Sequence, residues 1–152
     1  NEVGISVSNL YLYFGNKEII LDTLEEAFCA SFMHDMERFF AHRDETEKDV
    51  AIGAILKKVI VQDQRRFVIA LEKCPLSKYG DFKDRLVALL QTHIQRQIRE
   101  EFSRDAMLSR IIAKNFMEGI TEIAKNYEDK EALEKRLQLF AAYHMNGMHS
   151  FM

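Results

Sequence analysis

Tryptophan is absent from the chain, proline occurs once, at Pro75, and two cysteines, Cys29 and Cys74, stand far apart with no Cys-x-x-Cys pair. Each scarcity excludes something. A single proline leaves long helices free to run, because proline is the residue that most strongly interrupts them. Two distant cysteines suit reduced, buried thiols in a cytoplasmic protein and exclude a disulfide framework or a thiolate metal site. No apolar run approaches the roughly 18 residues a bilayer-spanning helix needs, and no secretory leader pattern opens the chain, so a membrane is not expected among its partners. No stretch alternates apolar and polar residues over the length of a strand.

What is present points to helices. Hydrophobic residues make up 47% of the 152 positions, enough for a sizeable core, and 11 phenylalanines and 7 methionines supply much of it. The net charge of −3 excludes a protein that coats nucleic acid indiscriminately. A sequence-specific reader remains open if its positive charge is gathered on one face.

The apolar spacing predicts an all-α fold. Ile20, Leu24, Phe28, Phe32, Met36 and Phe39/Phe40 recur every three or four residues, predicting a long helix from Asn16 to about Ala41. Thr46 to Asp49 has the form of a capping box for a second helix carrying Ile52, Ile55, Leu56, Val59 and Ile60. The polar run Gln62 to Arg65 predicts a bend or short loop, and Pro75 must end the apolar segment Phe67 to Leu71. Asp81 is expected to cap a helix whose broad apolar side runs from Phe82 through Phe102, Ser103 to cap the next, and a final helix to open near Asp129.

Catalytic chemistry finds no foothold. The five histidines, His34, His42, His93, His144 and His149, are scattered singly. No Glu-x-x-His or His-Glu-x-x-His pattern provides a metal site, and no Gly-rich phosphate loop exists. Adjacent carboxylates such as Glu25-Glu26 and Glu100-Glu101 read as solvated surface. Neither an enzyme nor a cofactor is expected.

The most specific stretch is Val3-Gly4-Ile5-Ser6-Val7-Ser8-Asn9-Leu10-Tyr11-Leu12-Tyr13-Phe14-Gly15-Asn16-Lys17-Glu18. Gly4 can end a preceding helix, Ser6 can cap a short one, and Gly15 stops it before Asn16 caps the next. A tight turn feeding a short helix with outward tyrosines suits a DNA major groove, and Lys17 at a helix start can hold a phosphate. The run resembles the TetR family of transcriptional regulators, whose hallmark is A-G-V-S-x-G-T-L-Y-x-Y/H-F-x-S/N-K-E. Leu10-Tyr11, Tyr13-Phe14 and Asn16-Lys17-Glu18 fall in register with it without a gap. Family members often carry a basic or polar residue where Val7 stands, and Gly or Pro where Ser8 stands.

The resemblance implies residues 1–18 as the C-terminal part of a helix-turn-helix DNA-binding domain, with its recognition helix retained and its N-terminal helices absent. Residues 19–152 would form a helical ligand-binding and dimerisation bundle. It further implies Val7, Ser8 and Tyr11 facing base edges of double-stranded operator DNA, and Asn9, Tyr13 and Lys17 holding phosphates. The expected function is a ligand-responsive repressor binding a near-palindromic operator as a homodimer. A helical dimerisation or adaptor module with a vestigial reader is the alternative.

Two further surfaces are expected in the body. An effector, mostly apolar, is implied by the resemblance, and its candidate pocket is Phe67, Leu71, Leu86, Leu90, His93, Phe102, Met107 and Phe116. The last two helices carry more apolar surface than one core face needs, which predicts a four-helix C2 interface. Its candidates are Ile112, Phe116, Gly119, Ile123, Phe140, His144, Gly147, Met148 and Phe151.

Overall fold

The computed structural model describes residues 17–41, 48–72, 80–99, 102, 105–150 and 152, and for residues 17, 18, 21 and 48–51 the backbone alone. Among the described residues there are five α-helices and no strand: α1 Lys17–Ala41, α2 Lys48–Glu72, α3 Phe82–Gln97, α4 Ala106–Lys125 and α5 Lys130–His149. The chain is all-α, and no described helix is long and apolar enough to cross a membrane. The expected capping box at Thr46, the helix stop at Pro75 and the thiol of Cys74 lie outside the described residues.

Helix α1 has the predicted C-terminal bound and is buried unevenly. Cys29, Phe32, Met33, Met36 and Phe40 recur at three and four residues and are buried. Toward the N-terminus that stripe loses its cover, leaving Ile19 and Leu24 exposed at 46% and 53%. From Glu25 onward the helix is therefore packed against the body, and its first two turns project from it.

Helix α2 touches all four other helices. Its bend falls where the polar run predicts it, at Asp63, whose φ of −138° and ψ of 37° are non-helical. The kink has a structural use, because Gln64 next to it donates to the carbonyl of Ala124 at 2.9 Å, near the end of α4. Gln64 thereby adds a side-chain donor to a helix-terminal carbonyl that also accepts weakly from Tyr127 N at 3.4 Å.

Three phenylalanines lock α1, α2 and α3 together. The Phe32 ring lies 5.2 Å from Phe67 and 6.1 Å from Phe82, in tilted arrangements favoured by ring quadrupoles. Phe67 and Phe82 are fully buried, and each such side chain contributes about 1.5–3 kcal/mol through removal from water. Helix α4 packs most extensively on α3. Its buried face includes Ser109, Ala113 and Ala124, whose small side chains let the helix axes approach. The buried Thr121 hydroxyl donates to Met117 O at 2.7 Å, and Ser109 to Ala106 O at 3.1 Å, so these polar groups cost little inside.

Helix starts partly differ from expectation. α5 opens near Asp129 as predicted, and Asp129 caps it, accepting from Ala132 N at 2.9 Å. At α4 the cap is Asp105, which accepts from Met107 N and Leu108 N at 2.9 and 3.0 Å, and not Ser103. Asp81 occupies the cap position of α3 without a side-chain hydrogen bond. That helix ends at Gln97, with Ile98 extended, so Phe102 does not continue its apolar side. Between helices, Lys57–Glu134 at 2.6 Å, Lys83–Glu118 at 2.8 Å and Lys125–Glu72 at 3.2 Å are partly exposed ion pairs. Such pairs contribute little to stability individually.

Glu25 corrects the reading of its neighbourhood as solvated. It is 3% exposed, and its Oε2 has no hydrogen-bond partner among the described residues. Neighbouring carboxylates on a helix are about 100° apart, so Glu26 stays outside while Glu25 turns inward. Burial pushes the Glu25 carboxyl above its ordinary value, Arg66 draws it back, and Asp63 adds repulsion. A carboxyl raised in the folded state contributes stability below its unfolded pKa and loses it as pH rises through the folded value. Glu25→Gln is therefore expected to raise the thermal midpoint at pH 7 by about 2 °C or more. The gain should vanish below about pH 4, as scanning calorimetry at the two pH values would register.

Candidate functional site

All five helices contribute to one cavity of about 520 Å³, within the range of small-molecule sites. Phe39 comes from the last turns of α1, and Ile52, Gly53 and Leu56 from the start of α2. Leu90, His93 and Ile94 come from α3, Phe116 and Ile120 from α4, and Leu137, Phe140, His144, Met145 and Met148 from α5. Arg96 and Gln97, both exposed, form the polar part of the rim, and the exposed Met152 adds an apolar side chain beside them. The cavity sits where the C-terminal parts of α1, α3 and α5 converge.

Its chemistry is that of an aromatic slot. Phe116 stacks with Phe140 at 5.5 Å and touches the His144 ring at 4.8 Å, and the His93 ring lies 4.6 Å from Phe40. Gly119 lets the Phe140 ring lie directly on α4, since a Cβ there would collide with it. Met145 and Met148, further along α5, add a deformable surface to the lining. Burial draws the His144 pKa below its ordinary value. Near neutral pH the imidazole is uncharged and presents one donor and one acceptor nitrogen.

The structure redraws the pocket read from sequence. Leu90, His93 and Phe116 line the cavity. Phe67, Leu71 and Leu86 are closed into the core, where Phe67 packs on Phe28 and Phe32. Met107 is 72% exposed in the first turn of α4, and Phe102, half-buried beyond the end of α3, meets the Arg99 guanidinium at 5.3 Å. The α5 wall, Phe140 and Met145 included, and the α2 contribution at Ile52 and Gly53 were missing from that set. Apolar spacing identifies a helix face, whereas the meeting of several helix ends is a tertiary fact.

A second concavity, of about 460 Å³, opens on the outer side of the α4–α5 hairpin. Ile112, Asn115, Tyr143, Asn146 and Gly147 line it, and His144 and Met148 separate it from the first. Around it Ile111, Leu139 and Tyr143 are exposed at 45%, 62% and 75%. Of the interface residues read from sequence, Ile112 and Gly147 belong to this outer groove. Phe116 and Phe140 face the inner cavity, Met148 is buried in the wall, and Gly119 is covered by Phe140. Ile123 packs half-buried against the core, and Phe151 lies outside the described residues. The apolar surplus therefore lies about one residue's rotation away from the expected face.

The candidate DNA contacts Val7, Ser8, Asn9, Tyr11 and Tyr13, and the side chain of Lys17, lie outside the described residues. Among the described residues no group of histidine, cysteine or acidic side chains could hold a metal ion. Cys29 is buried and, among the described residues, in no disulfide. Comparison of the chain with protein-family models, with curated proteins and with solved structures finds no match.

A pH effect on stability follows from His144. Its folded pKa lies below the unfolded one, so in the interval beneath about 6.5 the unfolded chain binds more protons and stability falls as pH falls. His144→Gln is expected to flatten that part of the profile. Urea unfolding of both proteins between pH 7.5 and about 5 would show it; parallel curves would contradict it.

Proposed function

We propose that the chain is a DNA-binding transcriptional regulator of the TetR type, a ligand-responsive repressor that acts as a homodimer on a near-palindromic operator. What carries the reading is the course of α1. This single helix begins at Lys17, inside the run Val3 to Glu18, and reaches the cavity at Phe39. At 1.5 Å per residue its 25 residues span roughly 37 Å. A change of cavity shape at one end is thus carried to the reader at the other by a rigid rod.

In this mechanism Val7, Ser8 and Tyr11 meet base edges, while Asn9, Tyr13 and Lys17 grip phosphates. Ligand favours a body state in which the two readers sit at the wrong spacing, and it weakens operator binding by its differential affinity for the two states. The outer α4–α5 face, with Ile111, Leu139 and Tyr143 exposed, supplies the apolar patch for a C2 partner. The same patch also suits an adaptor module that docks a different protein, and the oligomeric state separates the two readings.

Two measurements test the proposal. Lys17→Ala in the complete protein should weaken operator and nonspecific DNA alike and lower the slope of log affinity against log salt by about one unit. An unchanged slope would remove the phosphate role. Sedimentation equilibrium should find a dimer, converted to a folded monomer by Tyr143→Glu together with Ile111→Glu. A monomeric parent protein would favour the adaptor.

A further inference from the structure

We propose that the inner cavity takes an amphipathic monoanion, a carboxylate bearing a medium-length apolar tail. The proposal deepens the effector reading given above and rests on that cavity being a ligand site. It does not depend on DNA binding.

The lining decides the sign of the ligand's charge. Among the described residues no aspartate or glutamate lines the cavity, and Arg96 is the one permanently charged residue that does. Among the described residues Arg96 forms no ion pair that would neutralise it from within the protein. A cationic amphiphile with its head at this mouth would lie beside the like charge of the Arg96 guanidinium, with no acidic side chain among the described lining residues to offset it. A carboxylate meets a guanidinium whose planar fork matches it in two parallel hydrogen bonds.

Position decides the ligand's shape. Arg96 and Gln97 are exposed at the rim, while Leu90, Phe116, Phe140 and Met148 lie deeper, buried or half-buried. The polar end of a ligand is therefore held at the mouth and its apolar end inserted among aromatic rings and a methionine. A volume of about 520 Å³ accommodates a tail of medium length. A long acyl chain would need additional space beyond the rim.

Isothermal titration calorimetry in the absence of DNA tests this with three probes of equal tail length, all below their micelle concentrations: decanoate, decanol and decyltrimethylammonium. Decanoate should bind most tightly. Arg96→Gln, a change at an exposed position, should weaken decanoate roughly fivefold to tenfold and leave decanol unaltered. Phe116→Ala should weaken decanoate and decanol together, placing the tail in the cavity. Equal or tighter binding of the ammonium compound, no binding of decanoate, or a decanoate preference that survives Arg96→Gln would each overturn the proposal. Because no DNA is present, failure of the operator reading leaves these outcomes interpretable.

Discussion

The arrangement of this protein depends on one clamp: the packing of Phe32 between Phe67 and Phe82, which holds the C-terminal half of α1 against α2 and α3. With that half fixed by Phe32, Met36 and Phe40, and Glu25 and Phe28 still packed against the body, only the first two turns of α1 stand away, as the exposure of Ile19 and Leu24 records. Where the clamp ends, the cavity begins. Phe40 is buried in the core and packs on His93, whereas Phe39, one residue earlier, lines the cavity. A helix gripped at one end and free at the other converts small changes of tilt at the grip into large displacements at the tip.

The inner cavity and the outer face share a wall. Phe116, Phe140, His144 and Tyr143 form a chain of ring contacts that starts in the cavity and emerges on the exposed side of α5. Gly119 makes the chain possible by leaving room for Phe140 against α4. A ligand that shifts Phe140 or His144 thus touches both α1, through the cavity, and the proposed interface, through Tyr143. Packed rings resist partial rearrangement, so the shift passes between discrete arrangements rather than dissipating.

Much of the fold was legible in the order of residues, for identifiable reasons. The limit of α1 at Ala41, the break in α2 and the opening of α5 near Asp129 follow from apolar periodicity, a polar interruption and a side chain suited to hold free N–H groups. Asp105 was missed as a cap because Ser103 lies two residues earlier with equal capping chemistry, and only the path of the chain chooses between them. Glu25 was read as solvated because a helix with this many carboxylates presents most of them to water; what covers one of them is decided by the neighbouring helix. The pocket was half legible. Leu90, His93 and Phe116 carry the same signal as Phe67 and Leu86, apolar or aromatic residues at helical spacing, and no local feature separates a core residue from one that borders a void. The comparison is therefore with packing, which periodicity does not encode.

In the proposed mechanism, occupation of the cavity moves the projecting first turns of α1. Double electron–electron resonance between spin labels introduced by Leu24→Cys in the two subunits of the proposed dimer, in a Cys74→Ser background, reads that motion directly. Leu24 is 53% exposed on the projecting part of α1, and Cys29 is buried and shielded from the label. Saturation with decanoate, verified by calorimetry on the labelled protein, should move the main distance by several ångströms. A distance distribution that is the same with the cavity empty and filled would contradict the claim that α1 carries the signal.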